Sequence, residues 1–151
     1  MSYCYEYPRP MVSTDILLFG KQGNELFILL IKRLNEPFKN RWALPGGFVE
    51  ENEALKNAAL RELEEETGLY SLELHQFHAF GDPGRDPRGH CVTVVYYGFV
   101  DKNQVQPKAG DDAKETRWFK LSELPELAFD HEKVIQQAVE ELLHGVVKDI
   151  E

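Results

Sequence analysis

The chain has 151 residues, 42% hydrophobic and 28% charged, the make-up of an ordinary globular protein long enough to bury a core. With 17 Lys and Arg against 26 Asp and Glu the formal net charge is -9, which argues against a nucleic-acid surface and would repel a phosphorylated ligand unless cations or local arginines intervene. Cys4 and Cys91 are too few for a disulfide framework and have no CxxC or paired-His spacing for zinc, so both read as reduced thiols, Cys91 within a buried strand.

The opening residues, MSYCYEYPRP, lack a basic segment followed by an apolar one, and no apolar run is long enough to span a membrane. A cytoplasmic protein without membrane contact is expected. Residues 1 to 11, carrying Tyr3, Tyr5, Tyr7, Pro8 and Pro10, read as an extended arm that packs either on the core or on a partner subunit. Val12 to Phe19 and Glu25 to Arg33 are rich in Ile, Leu and Phe and predict two strands joined by a hairpin loop over Gly20 to Asn24. Leu34 to Asn40 is a polar loop broken by Pro37, and Arg41 to Gly47 a short strand entering a tight turn at Pro45-Gly46-Gly47, where backbone can approach a ligand closely. Two fates are open to Trp42, stacking on a base or packing in the core.

A helix follows. Asn52 is expected as its N-cap, Glu53 lies in the first turn, Leu55, Ala59 and Leu63 recur at a spacing of four, and Gly68 closes it. Glu62, Glu65 and Glu66 stand at i, i+3 and i+4 on the other face, where like charges repel. A hard divalent cation would remove the conflict; an ordinary solvated acidic face is the alternative. Arg61 is placed to reach back to Glu53 and tie the incoming loop to the helix.

Beyond the helix, Ser71 to Phe80 alternates like a strand, with His75 and His78 on its surface. Gly81 to His90 must be an irregular loop; its Arg85 and Arg88 are donors suited to phosphate oxygens, and Asp82 and Asp86 are available to pair with them. Cys91 to Val100 is the strongest strand and is expected at the centre of a sheet. A polar loop over residues 101 to 114 contains Asp111 and Asp112. It leads to a short strand, Glu115 to Phe119, a turn around Pro125, and an amphipathic helix, His131 to Val147, with Val134, Ile135, Ala138, Leu142 and Val146 on one face. No repeat or long linker divides the chain, so residues 1 to 151 are expected as one mixed α/β domain with a sheet between helices.

Read as G-x5-E-x7-R-E-U-x-E-E-x-G-U, with U a bulky apolar residue, the stretch fits at Gly47, Glu53, Arg61, Glu62, Leu63, Glu65, Glu66, Gly68 and Leu69. In this it resembles the signature of the Nudix hydrolase family. The resemblance implies the Nudix fold, α/β with a mixed sheet sandwiched between helices, and a hydrolase that uses Mg²⁺ or Mn²⁺ to cleave a nucleoside diphosphate linked to another group. Carried over by position, it implies Glu62 and Glu66 as metal ligands and the Gly46 carbonyl as a further ligand. Glu65 would be a ligand or a partner of the ligands within the catalytic set, and Gly47, Glu53 and Arg61 would hold loop and helix in register. The general base is expected in the loop before Trp118, at Glu115 or Asp112 ahead of Asp111.

Pro83, fifteen residues beyond Gly68 (83 − 68), stands about where ADP-ribose hydrolases of the family carry a characteristic proline. GRDPRGH followed by VTVVYYGFV is similar to the bacterial and archaeal ADP-ribose pyrophosphatase branch. That branch includes the Nudix domains of regulators of NAD metabolism, which YPRP and LAFDHEKVI also resemble. The implied reaction is hydrolysis of ADP-ribose to AMP and ribose 5-phosphate, with Arg41, Arg85, Arg88, Phe129, Asp130 and His131 as substrate-binding residues. A nucleoside-triphosphate or sugar-nucleotide pyrophosphatase is one rival. A non-catalytic ADP-ribose sensor is another, because those regulators carry a winged-helix domain after the Nudix domain. An intact box and a chain that stops at Glu151 set the expectation on an enzyme. Many ADP-ribose hydrolases are homodimers, and the aromatic arm would suit an exchanged contact.

Overall fold

A computed structural model describes residues 2–110 and 113–143. Two long strands, β1 (Met11–Gln22) and β2 (Glu25–Arg33), form the hairpin expected from the sequence. Ile16, Leu17, Leu18 and Phe19 are all fully buried, because β1 is covered on both faces, and an unbroken apolar run is what such a strand requires.

The hairpin forks. Its strands pair only from Phe19↔Ile28 to Gln22↔Glu25. Past that point β3 (Trp42–Ala43) pairs with β2 at Ile31 and Lys32, and β4 (Gly46–Phe48) pairs with β1 at Ser13 to Asp15. The Leu44-Pro45 link between them thus crosses the fork, held where Ile16 N–H donates to the Pro45 carbonyl at 2.8 Å.

Helix α1 (Leu55–Thr67) follows, then β5 (His75–Phe80) and β6 (Cys91–Asp101). β6 lies parallel to β1 along most of its length and antiparallel to β5, so it is interior but one place from the edge, and β1 takes the centre. β7 (Ala113–Lys120), longer than expected, closes the outer edge of β2. Helix α2 (His131–Leu142) completes the described fold; Val146 lies outside the described residues. Alternate residues of the central strands feed two cores. Ala59 and Leu63 of α1 pack over Ile16, Leu18, Leu29 and Tyr96, whereas Val134, Ile135 and Ala138 of α2 pack over Leu17, Phe19, Ile28 and Val95. This is the expected mixed sheet between helices.

Three local expectations are corrected. Ala54, with no side-chain cap, precedes α1, and Asn52 instead takes a left-handed conformation (φ 60°) in the turn before it, a conformation asparagine tolerates. Glu53 organises that turn, accepting the Glu50 N–H at 3.0 Å. Residues 71 to 74 stay outside β5, where Ser71 also has positive φ (58°). The arm does not pack on the core: Tyr3, Tyr5 and Tyr7 are 54%, 53% and 70% exposed. Gly68, in the left-handed region, ends α1 as expected, and His75 and His78 are exposed. Among the described residues no helix is long and apolar enough to cross a membrane.

Candidate active site

The fork, the second half of α1, the loop after β5 and the segment entering α2 enclose a cleft of about 540 Å³. Its acidic wall comes from α1 and β4. Glu62 and Glu66 line the cleft and Glu66 is only 6% exposed; its Oε2 accepts the Gly46 N–H at 3.3 Å. Close approach requires glycine at position 46, where a Cβ would collide with the Thr14 carbonyl and the Asp15 carboxylate, while a Cβ on Gly47 would sit 2.5 Å from the Glu62 carboxylate carbon and displace that side chain.

Arg61 ties this wall together. Its guanidinium donates to Glu53 at 2.7 and 2.9 Å, to Glu62 at 2.8 Å, to Glu65 at 3.2 Å and to the Phe48 carbonyl at 3.1 Å. Those bonds from Arg61, with the Glu50 N–H, pull the Glu53 carboxyl from its usual 4.5 to about 2 and push the Arg61 guanidinium up. The three helix glutamates therefore divide: Glu62 and Glu66 face the cleft, while Glu65, its side chain 41% exposed, is turned to Arg61 and is not part of the lining.

The opposite wall is cationic and aromatic. Arg33, at the end of β2, donates from Nε to the Pro37 carbonyl at 2.7 Å and lies 5.1 Å over the Phe129 ring. The carboxylates of Glu66, Asp15 and Asp86 act on it electrostatically. Burial and the neighbouring Arg88 lower its pKa. Arg88 sits between two rings, 4.7 Å from Phe48 and 5.7 Å from Phe129, and donates to both oxygens of Asp86 at 3.1 and 2.8 Å. Burial would raise the Asp86 carboxyl, but its bonds with Arg88 outweigh that and hold it below the usual range. Phe129 has φ 53°, a costly conformation for an aromatic residue, retained where its ring borders the cleft.

Arg85 also lines the cleft, but its donors are engaged by Asp130. Its side chain is 5% exposed and both its Nε and one terminal nitrogen donate to Asp130, at 3.0 and 2.7 Å. Burial alone would lower its pKa; Asp130 raises it. The expected pairing of Arg85 with Asp82 or Asp86 is replaced by this strap between the Pro83 loop and the start of α2. Asp130 and Pro83 stand behind the lining rather than in it.

The cleft floor is polar. Asp15 accepts the Thr93 hydroxyl at 2.6 Å and faces His131 Nε2 at 3.7 Å, while His131 Nδ1 accepts the Leu44 N–H at 3.0 Å. Burial would raise the Asp15 carboxyl, but His131, Thr93 and Arg85 together hold it low.

Besides Glu65 and Asp130, two further expected residues are not brought to the cleft. Arg41 pairs with Glu126 at 3.2 Å on the surface, and Glu115 lies on β7, opposite Lys32, bonded to Arg117 at 2.6 Å. Asp111 and Asp112 lie outside the described residues. Trp42 takes its core fate, edge-on to Phe119 at 4.8 Å. Sequence reading missed Arg33, Phe48 and Asp15. Asp15 alone left a signal, a single carboxylate inside a buried strand, which must be paired.

Among the described residues no three His, Cys, Asp or Glu side chains converge on one point. The corner of Glu62, Glu66 and Gly46 nevertheless suits a hard cation, since Mg²⁺ keeps several waters and takes one or two protein carboxylates together with substrate phosphates. Gly47, where a Cβ would meet the Glu62 carboxylate, leaves that group its place in the corner, which agrees with that donor set.

The chain is similar to known proteins in sequence and in fold. The chain is 47% identical to the ADP-ribose pyrophosphatase of Methanocaldococcus jannaschii, over 86% of its own length and 73% of that protein. It is 39% identical to the ADPR responsive transcriptional repressor NtrR of Acinetobacter baylyi, over 88% of its length, but spans only 54% of that repressor. Among solved structures, a MutT/nudix family protein from Enterococcus faecalis superposes with a TM-score of 0.85 at 35% identity, over 95% of this chain and 66% of that one. The NUDIX domain of Shewanella oneidensis NrtR complexed with ADP ribose does so with 0.83 at 33% identity, over 90% of each. The NUDIX domain model matches residues 9–138, which take in the fork, α1 and both walls of the cleft, and the chain belongs to the Nudix family.

Proposed function

We propose that the protein hydrolyses ADP-ribose to AMP and ribose 5-phosphate with Mg²⁺. The observation that carries this reading is the division of one cleft: Glu62, Glu66 and Gly46 form an acidic corner, and Arg33, Arg88, Phe48 and Phe129 form a cationic and aromatic wall. A diphosphate between a base and a sugar needs both. The similarity to the M. jannaschii pyrophosphatase supports it.

In this reading Arg33 and Arg88 grip the diphosphate oxygens, and the phenylalanine rings take the planar or apolar part of the ligand. Glu62, Glu66 and the Gly46 carbonyl hold the metal, which when bound offsets diphosphate charge and lowers the pKa of the attacking water. A water oxygen bonds to one phosphorus, the bridging P–O bond breaks, and its proton passes to a base. Asp112 is the preferred base over Glu115, which is committed to Arg117. The loop before Asp112 is tethered to α1, Gly110 N–H donating to the Glu66 carbonyl at 3.2 Å, which supports that choice. Glu65 acts through Arg61 rather than on the cleft.

The test is release of AMP or phosphate from ADP-ribose, NADH, a sugar nucleotide, a dinucleoside polyphosphate and the dNTPs, each with Mg²⁺ and with EDTA. Metal-dependent preference for ADP-ribose supports the reading; preference for another member keeps the chemistry and moves the specificity. The likeness to the repressor and to the NrtR domain bound to ADP ribose favours one further reading, a sensor, which binding of ADP-ribose without turnover would establish.

A further inference from the structure

The proposed chemistry leaves Asp15 and His131 without a task, although they are 8% and 3% exposed and both reach the cleft. Burying a carboxylate and an imidazole is costly unless each is tied into a fixed arrangement. Here the arrangement is directional. Leu44 N–H donates to His131 Nδ1 at 3.0 Å, so Nδ1 offers its lone pair and the proton of the neutral ring sits on Nε2. Nε2 faces Asp15 Oδ2 at 3.7 Å, and the Thr93 hydroxyl fixes that same oxygen at 2.6 Å.

What the ring holds is the crossing of the fork. The Leu44-Pro45 link is tethered at its first amide by His131, at the Pro45 carbonyl by Ile16, and at the Gly46 amide by Glu66. Asp15 is itself the register partner of Gly46 on β1. The geometry points to Asp15 and His131 as positioning residues for the metal corner: Asp15 sets the ring tautomer, Nδ1 holds the Leu44 amide, and the amide sets the place of the Gly46 carbonyl. This rests on the proposed role of that carbonyl as a metal contact. It also moves His131 from bordering the nucleoside to supporting the cation.

The two ring nitrogens can be told apart by substitution, since an asparagine amide oxygen can replace the Nδ1 acceptor, whereas a glutamine amide nitrogen replaces the Nε2 donor. Mn²⁺ titration in the absence of substrate, followed by the resonance of the free ion, reads the corner without turnover. His131→Gln and Asp15→Asn are expected to raise the Mn²⁺ Kd by about 10- to 100-fold, the range for partners that orient metal ligands, while His131→Asn stays close to the wild type. Equal Kd values for the Asn and Gln variants, whether tight or weak, would overturn the assignment. If neither His131 variant folds by circular dichroism, Asp15→Asn decides alone, and an unchanged Kd overturns it. Glu66→Gln separates the two levels of the argument: if it too binds Mn²⁺ like the wild type, the metal corner itself is misplaced.

Discussion

Replacing Arg85 by alanine separates a structural arginine from a substrate clamp. The pair it forms with Asp130 is bidentate at 3.0 and 2.7 Å, with side chains 5% and 21% exposed. Removing one partner of a buried pair costs about 3–5 kcal/mol, because the other charge stays behind, whereas an exposed pair is worth about 0–1 kcal/mol. The residual exposure of Asp130 places the loss near the lower limit, about 3 kcal/mol. For a chain of this length that corresponds to roughly 6–12 °C in Tm. Urea and thermal unfolding of Arg85→Ala, Asp130→Asn and the double variant give the loss and the coupling between them. The double variant is expected to recover part of the stability, since no unpaired charge remains. The substrate KM of Arg85→Ala, taken well below its Tm, should change far less than its stability. A variant as stable as the wild type whose kcat/KM has collapsed would refute the reasoning and return Arg85 to the substrate.

Arg33→Ala should show the opposite pattern, because its guanidinium lines the cleft: stability holds while KM for ADP-ribose rises, by about 30-fold if a charged hydrogen bond worth about 2 kcal/mol is lost. Arg33→Lys should not restore it, since the planar group over Phe129 is gone. Acid titration tests Glu53. Its carboxyl is lowered in the folded state, so its contribution is complete above the usual 4.5 and is lost as pH falls towards about 2; Glu53→Gln should flatten the stability profile in that window, and parallel profiles would reject the Arg61 web as the cause. We expect the exposed arm to support a homodimer. Light scattering with and without residues 1 to 10 should then show the mass halve on truncation; an unchanged mass refutes it.

The elements were legible where one period dominated. β2 was readable to the residue, and α1 from its apolar stripe and Gly68, because burial on one face or both writes directly into the pattern. The acidic half of the cleft was legible too, being carried on adjacent turns of one helix. The other half was not. Arg85 and Asp130 are 45 positions apart and nothing in either segment names the other, so Arg85 read as a donor for phosphate or for Asp82 and Asp86, and its strap to Asp130 was not legible. Arg33 looked like the polar end of a strand, and only the fork turns it inward. Asn52 failed as a cap because Glu53 is held by Arg61 eight residues on, which fixes the preceding turn in a shape that puts Ala54 at the helix start.

The fork gives the molecule a single reporter of its integrity. Residues of the cleft come from β1, β2, β4, α1, the loop after β5 and the start of α2, so no fragment and no partly opened form retains a complete pocket. A ligand that binds there recognises only the whole fold, and at about 100 times its Kd it adds about 2.7 kcal/mol to global stability. Occupancy should therefore slow hydrogen exchange across the central sheet, in strands that never touch the ligand, as much as in the loops that do.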